Sequence, residues 1–246
     1  MGTAIVITSG KGGTGKTSLT GGIAAALSKL GKSVLCIDMD IGLRNLDISL
    51  GLTESGALSF LDVVNGDYPL DRAARHPAYQ SLSFLTAPMH TPADEIDPAA
   101  FEMMLSQARL DFDYIFLDAP AGVDAGFRLA AKFADRFLVV TGAGPAAVRD
   151  AARVSDLLEL MGKKNVRLIV NRVDRDMLST VRMTVDDVMD SAGLPLTGIV
   201  LEDPNVTLAA AFGKPLLQYA RRSSAAKAYR KIANRIQGFH EPITLR

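Results

Sequence analysis

Nine residues near the amino terminus, Ser9-Gly10-Lys11-Gly12-Gly13-Thr14-Gly15-Lys16-Thr17, combine the residue types that bind a polyphosphate. Gly10 through Thr17 satisfies G-x-x-x-x-G-K-[ST], the spacing of a phosphate-binding loop. The glycines let successive backbone N–H groups turn inward as an anion nest, and a helix beginning near Lys16 aims its positive dipole end at the same place. Lys16 can then reach the β- and γ-phosphates and the Thr17 hydroxyl can hold Mg²⁺, with Gly10, Lys11, Gly12, Gly13, Thr14, Gly15 and Ser18 completing the expected cradle. Acids follow two apolar runs. Asp38 and Asp40 come after Ser33–Ile37, two apart and therefore on one face of an extended chain, and Asp118 comes after Tyr114–Leu117 as a Walker-B acid does. Each acid alone suits a helix cap or a turn. Together with the loop they make Thr17, Asp38, Asp40 and Asp118 the expected metal set.

Lys11 is surplus to a common phosphate loop, because Lys16 already serves the β- and γ-phosphates. It is either a solvated surface charge or a second cation aimed at the phosphates of a nucleotide held by a facing subunit, as an arginine finger acts in trans. The base has its own candidates. Asn171 ends an apolar run and can read a purine edge, with Arg172 beside it; Glu202, Asp203 and Pro204 follow another run, and their rigid backbone can flank the base. Asn171-Arg172-Val173-Asp174 also resembles the Asn-Lys-x-Asp of guanine-binding proteins with Arg in place of Lys, so GTP stands as the alternative to ATP.

These residues need elements to position them. Apolar runs with strand character lie near 3–8, 33–38, 82–86, 113–118, 136–142, 166–171 and 196–201. Helical patterns lie between and after them, near 16–30, 57–65, 98–110, 124–134, 145–162, 184–191, 205–212 and 223–237. Strands alternating with helices predict an α/β fold: one doubly wound, mostly parallel sheet with helices on both faces, the P-loop NTPase arrangement. Ligands then bind beyond the carboxyl ends of the strands, where the loop, the acids and Asn171 all fall. No Pro- or Ser-rich linker divides the chain, so residues 1–246 are expected to form a single domain with its last core helix at about 223–237 and a short tail at 238–246.

With 48% hydrophobic residues the chain can bury a substantial core, and 27 basic against 27 acidic residues give no overall charge argument for nucleic acid or membrane. Cys36 is the only cysteine and sits in an apolar strand, which suits a buried structural thiol. No apolar run reaches transmembrane length and the first strand begins near Met1, so a cytoplasmic protein is expected, with recruitment to the inner face of the membrane left open.

The motifs resemble those of the deviant Walker A ATPases, the MinD/ParA family, and most closely its septum-site-determining MinD members. Ser9 through Thr17 looks like their signature loop, and Ile37-Asp38-Met39-Asp40-Ile41-Gly42-Leu43-Arg44-Asn45-Leu46-Asp47 is similar to the MinD segment after the second strand nearly residue for residue. Asp118-Ala119-Pro120-Ala121-Gly122 resembles the second switch, and Ala225-Ala226-Lys227-Ala228-Tyr229 the start of the last core helix. The resemblance implies a Mg²⁺-dependent ATPase in which ATP brings two subunits face to face. Lys11 of each would contact phosphates held by the other, Asp40 would position the attacking water, and Thr17 with Asp118 would organise Mg²⁺; Lys11, Lys16 and Asp40 are thus the catalytic residues it implies. It also implies a regulatory protein partner and a role in septum placement or related intracellular positioning.

The chain departs from that pattern at its end, where MinD proteins carry a basic amphipathic membrane helix. Here Gly238–Arg246 is short and broken by Pro242, and direct membrane binding is not expected. Tyr229, Ile232 and Ile236 do form an apolar stripe beside Lys227, Arg230, Lys231 and Arg235, for which core packing is the expected use. From Lys214 onward the chain is basic, so DNA contact of the ParA partition type is the main competing biology, with a flagellar-number regulator another. A nitrogenase-type iron protein is disfavoured by the single cysteine, and nothing marks the substrate pocket of a synthetase.

Overall fold

The computed structural model describes residues 1–53, 55–176 and 184–243. Among them one eight-stranded sheet runs in the order β3-β4-β2-β5-β1-β6-β7-β8. Its strands are β1 (Thr3–Ser9), β2 (Val34–Asp38), β3 (Ala74–His76), β4 (Tyr79–Leu85), β5 (Tyr114–Ala121), β6 (Arg136–Thr141), β7 (Val166–Val173) and β8 (Leu196–Leu201). All neighbouring pairs are parallel except β3 with β4, where a short antiparallel strand closes one edge. The expected α/β architecture is present. β1, β2 and β5 read as continuous apolar runs because both faces of the sheet are covered.

Strand alternation sorts those runs into two cores. Val6, Leu35, Leu117 and Val139 pack on one face beneath α4 (Pro98–Asp111), α5 (Ala125–Phe133), α6 (Pro145–Leu160) and α7 (Val185–Ala192). Ile5, Ile7, Cys36, Phe116 and Ile169 pack on the other, beneath α1 (Lys16–Lys29) and α10 (Ser224–Ile236). Cys36 is fully buried there, and burial raises its thiol pKa well above the ordinary value, as suits a structural thiol. Tyr229, Ile232 and Ile236 of α10 are buried in the same core, so the apolar stripe of that helix is spent on packing, as expected.

Four short elements escape the sequence pattern or shrink within it. α2 (Leu46–Leu50), β3 and α9 (Leu216–Tyr219) are additional, and the helix expected over 57–65 is only α3 (Phe60–Val64), begun by a capping box between Ser59 and Asp62. Such lengths are below what a chain sustains alone, so neighbouring packing decides them. α8 (Pro204–Ala211) and α10 match their expected places within one residue at each end. Residues 244–246 of the expected tail lie outside the described residues.

α1 is buried almost all round, because α2 and α10 cover the sides that the sheet leaves open. Close approach is bought with glycine: a Cβ on Gly22 would lie 2.1 Å from the Tyr229 ring, and one on Gly21 2.6 Å from Ser49 Oγ. Tyr229 is fully enclosed and cannot swing away. Gly22→Ala should therefore destabilise the protein by about 1–3 kcal/mol in urea denaturation despite the better helix propensity of alanine. An unchanged or raised midpoint would contradict this packing.

Candidate nucleotide-binding site

The loop between β1 and α1 is shaped by two left-handed glycines, Gly13 (φ 76°) and Gly15 (φ 87°), a conformation that side chains with a Cβ rarely adopt. It is gripped from two sides. Asn171 Nδ2, at the end of β7, donates to Thr14 O at 2.7 Å, and Arg172 Nη1 donates to Gly13 O at 3.1 Å. Opposite them the main chain of Asp150 in α6 lies so close to Gly10 that a Cβ there would sit 2.3 Å from its carbonyl oxygen. Ser9 Oγ donates to Lys11 O at 2.7 Å. With these carbonyls engaged, the loop's amide groups are left for an anion.

Lys16 is buried and donates through Nζ to Ser9 Oγ at 2.9 Å. Burial lowers its pKa, and the charges of Asp118 and Asp40 work against that shift. Lys11 differs in every respect. It is exposed on the rim, with no side-chain hydrogen bond or ion pair among the described residues.

The acids fall where the register of the central strands puts them. Asp38 and Asp118 are direct partners across β2 and β5, on the sheet face that carries α1. Asp118 is fully buried and accepts the Thr20 hydroxyl at 2.8 Å. Burial, then the neighbouring charge of Asp38, pushes its pKa up to about 7 against the opposing bonds from Thr17 and Thr20 and the charge of Lys16. Asp38, also buried, is pushed up to about 6, mainly by burial. Its two oxygens accept the backbone N–H groups of Asp40 (2.9 Å) and Leu46 (3.0 Å). This corrects one expectation: Asp38 and Asp40 do not share a face of extended chain, because β2 ends at Asp38 and an Asx-type turn carries Asp40 outward. Asp38 shapes that turn, while Asp40 stays partly exposed, its pKa raised by burial and pulled back by Lys16.

A recess of about 140 Å³ adjoins the loop, lined by Gly15, Ser18, Asn171, Arg172, Glu202, Asp203, Thr207 and Tyr229 among others. The residues expected at the base therefore converge, although several are committed to one another. Arg172 pairs with Glu202 at 2.9 Å, and Asp203 accepts from Asn205 N, Ser224 Oγ and Ala225 N, joining the starts of α8 and α10. Burial would raise the Asp203 pKa, but the Ala225 and Asn205 bonds outweigh it and bring it to about 2. Pro204 opens α8 as its first residue. Sequence reasoning missed Ser9 as the partner of Lys16, and Thr20 as that of Asp118. Thr20 carried a signal, since one helical turn after Lys16 it had to face the same way.

Both raised acids keep protons in the folded chain over a range where the unfolded chain, with a carboxyl value near 3.8, has lost them. Their ionisation thus costs stability as pH rises from about 4 to about 7. Asp118→Asn, which still accepts from Thr20, should be more stable than the parent in nucleotide-free urea denaturation, by a larger margin at pH 8 than at pH 5. An equal margin at both would contradict the assignment.

The CobQ/CobB/MinD/ParA nucleotide binding domain model matches residues 5–216. The chain is 38% identical over 240 residues to the septum site-determining protein MinD of Synechocystis, covering 97% of this chain and 90% of that protein. Its fold is similar to MinD in a MinC:MinD cell division protein complex of Aquifex aeolicus, at 37% identity, a TM-score of 0.91 and 98% coverage of each chain. It is also similar to MinD of Pyrococcus horikoshii complexed with Mg-ADP, at 27% identity, a TM-score of 0.84 and 96% coverage of each. With this likeness running from β1 through the last helix, the chain belongs to the MinD branch of the CobQ/CobB/MinD/ParA nucleotide-binding family.

Proposed function

We propose that this chain is an ATP-dependent dimerisation switch that hydrolyses ATP to ADP and phosphate and acts in septum placement. The observation that carries the reading is the contrast between two lysines of one loop: Lys16 is buried within its own site, whereas Lys11 stands exposed on the rim, unpaired among the described residues. A cation so placed suits phosphates presented by a second copy.

The residues fit a magnesium nucleotide. Among the described residues no three His, Cys, Asp or Glu form a self-contained metal cage. One hydroxyl, Thr17, and the acids Asp118 and Asp40 instead suit a hard cation that draws its other oxygens from phosphate and water, with Asp38 supporting the turn behind them. Held by these residues, Mg²⁺ would supply charge neutralisation to the phosphates. The chain's own residues do the rest. Gly10 through Ser18 fix the phosphate chain, and Lys16 orients the γ-phosphoryl group. Asp40, at the site's open side, aligns water for attack, and Lys11 of the facing subunit balances the charge that develops. Asn171 and the backbone at Glu202–Pro204 enclose an adenine in the adjoining recess. The similar Aquifex protein is seen with MinC, and a MinC-type protein is the partner we assign to the ATP-bound dimer. Among the described residues no helix is long and apolar enough to cross a membrane.

Light scattering coupled to size exclusion, with phosphate release measured in parallel, tests the switch. With saturating Mg-ATP the parent chain should dimerise. Lys11→Ala should stay monomeric and lose about 10³-fold in hydrolysis, and Asp40→Ala should remain dimeric without releasing phosphate. A parent chain that stays monomeric would contradict the proposal.

A further inference from the structure

At the end of the sheet opposite the nucleotide site, where β6, β7 and β8 begin, there is a cleft of about 740 Å³. It lies on the α10 side, between the strands and the segment that follows α10 across them. That segment is stapled in place by Arg235, whose guanidinium donates to Thr197 O (2.9 Å), Glu241 O (3.0 Å) and Pro242 O (2.8 Å). Asn234 Nδ2 adds a bond to the Glu241 carboxylate. The cleft is thus walled by a fixed strap.

We infer that this cleft binds a small organic anion, a carboxylate or phosphate monoester carrying an apolar body. Two observations converge on that chemistry. First, Arg136 and Arg167 rise from adjacent strands on one face, since Arg167 is the register partner of Leu138 and Arg136 precedes Leu138 by two. Among the described residues neither has a carboxylate partner. Arg136 spends one donor on Ile236 O at 2.9 Å, and the Arg167 guanidinium has no hydrogen bond or ion pair among the described residues. Second, the remaining lining includes Leu138, Leu196 and the exposed Phe239 and Ile243, while the one carboxylate of the described lining, Glu241, is occupied by Asn234. A paired guanidinium fork beside apolar wall selects an anion with a hydrophobic body. The volume lies within the roughly 300–1,000 Å³ usual for small-molecule sites.

The full chain, kept in saturating Mg-ADP so that the phosphate loop cannot compete, is titrated with the amphipathic anion 8-anilinonaphthalene-1-sulfonate and followed by fluorescence. Saturable one-site binding is expected, with displacement by octanoate, octyl phosphate or both; the pattern tells carboxylate from phosphate. The neutral analogue N-phenyl-1-naphthylamine should bind at least tenfold more weakly. Arg136→Gln combined with Arg167→Gln should weaken the sulfonate at least tenfold. Arg167→Gln alone, which removes no hydrogen bond or ion pair among the described residues, should weaken it several-fold at an unchanged thermal midpoint. Equal binding by parent and variants, equal binding of the neutral probe, or failure of both octyl anions to displace the dye would overturn the inference.

Discussion

Two carbonyl groups decide the shape of the phosphate loop. Thr14 O and Gly13 O are taken by Asn171 and Arg172 from the end of β7, and a loop whose carbonyls are drawn outward keeps its amides for an anion. The grip requires β7 to stand two strands from β1, with β6 between, and it requires glycine at position 15, where a Cβ would meet Asn171 Nδ2 at 2.4 Å. Sheet order, loop conformation and the asparagine at the end of β7 are therefore one arrangement.

Charge is arranged with the same economy. The central order β2-β5-β1 brings Asp38 and Asp118 side by side at the strand ends, under the first turns of α1 that carry Lys16 and Thr20. Burial disfavours the charged form of each, which is why both acids are raised and the lysine lowered. A divalent cation with a polyphosphate suits such a place, because it supplies both signs of charge to groups already held in position. Asp203 shows the contrast. It is ionised by the hydrogen bonds that join α8 to α10, and its carboxylate is structural.

Much of this was legible in the sequence because it is local. The loop, the acids after apolar runs and the alternation of strands with helices are written within a few residues of where they act, and α10 showed its buried stripe by spacing alone. What was not legible depends on which strands become neighbours. α2, β3 and α9 exist because tertiary packing completes elements too short to stand alone. The turn at Asp38 was legible only as an aptitude of the residue type, because its second captured amide, that of Leu46, lies eight residues further on. The bond from Asn171 to the loop was hidden for the same reason, since its partner lies 157 residues away.

Lys11 remains the residue on which the kind of protein turns. Buried like Lys16 it would belong to its own site; exposed, and unpaired among the described residues, it is available to another. Mixing two inactive variants distinguishes these directly. Lys11→Ala and Asp40→Ala chains are combined before Mg-ATP is added, and phosphate release is measured. If Lys11 acts across the dimer, the mixed dimer contains one complete site, with the acid from one chain and the lysine from the other, and hydrolysis returns. If the mixture stays as inactive as either variant while mixed dimers form, Lys11 serves its own chain and the account is wrong.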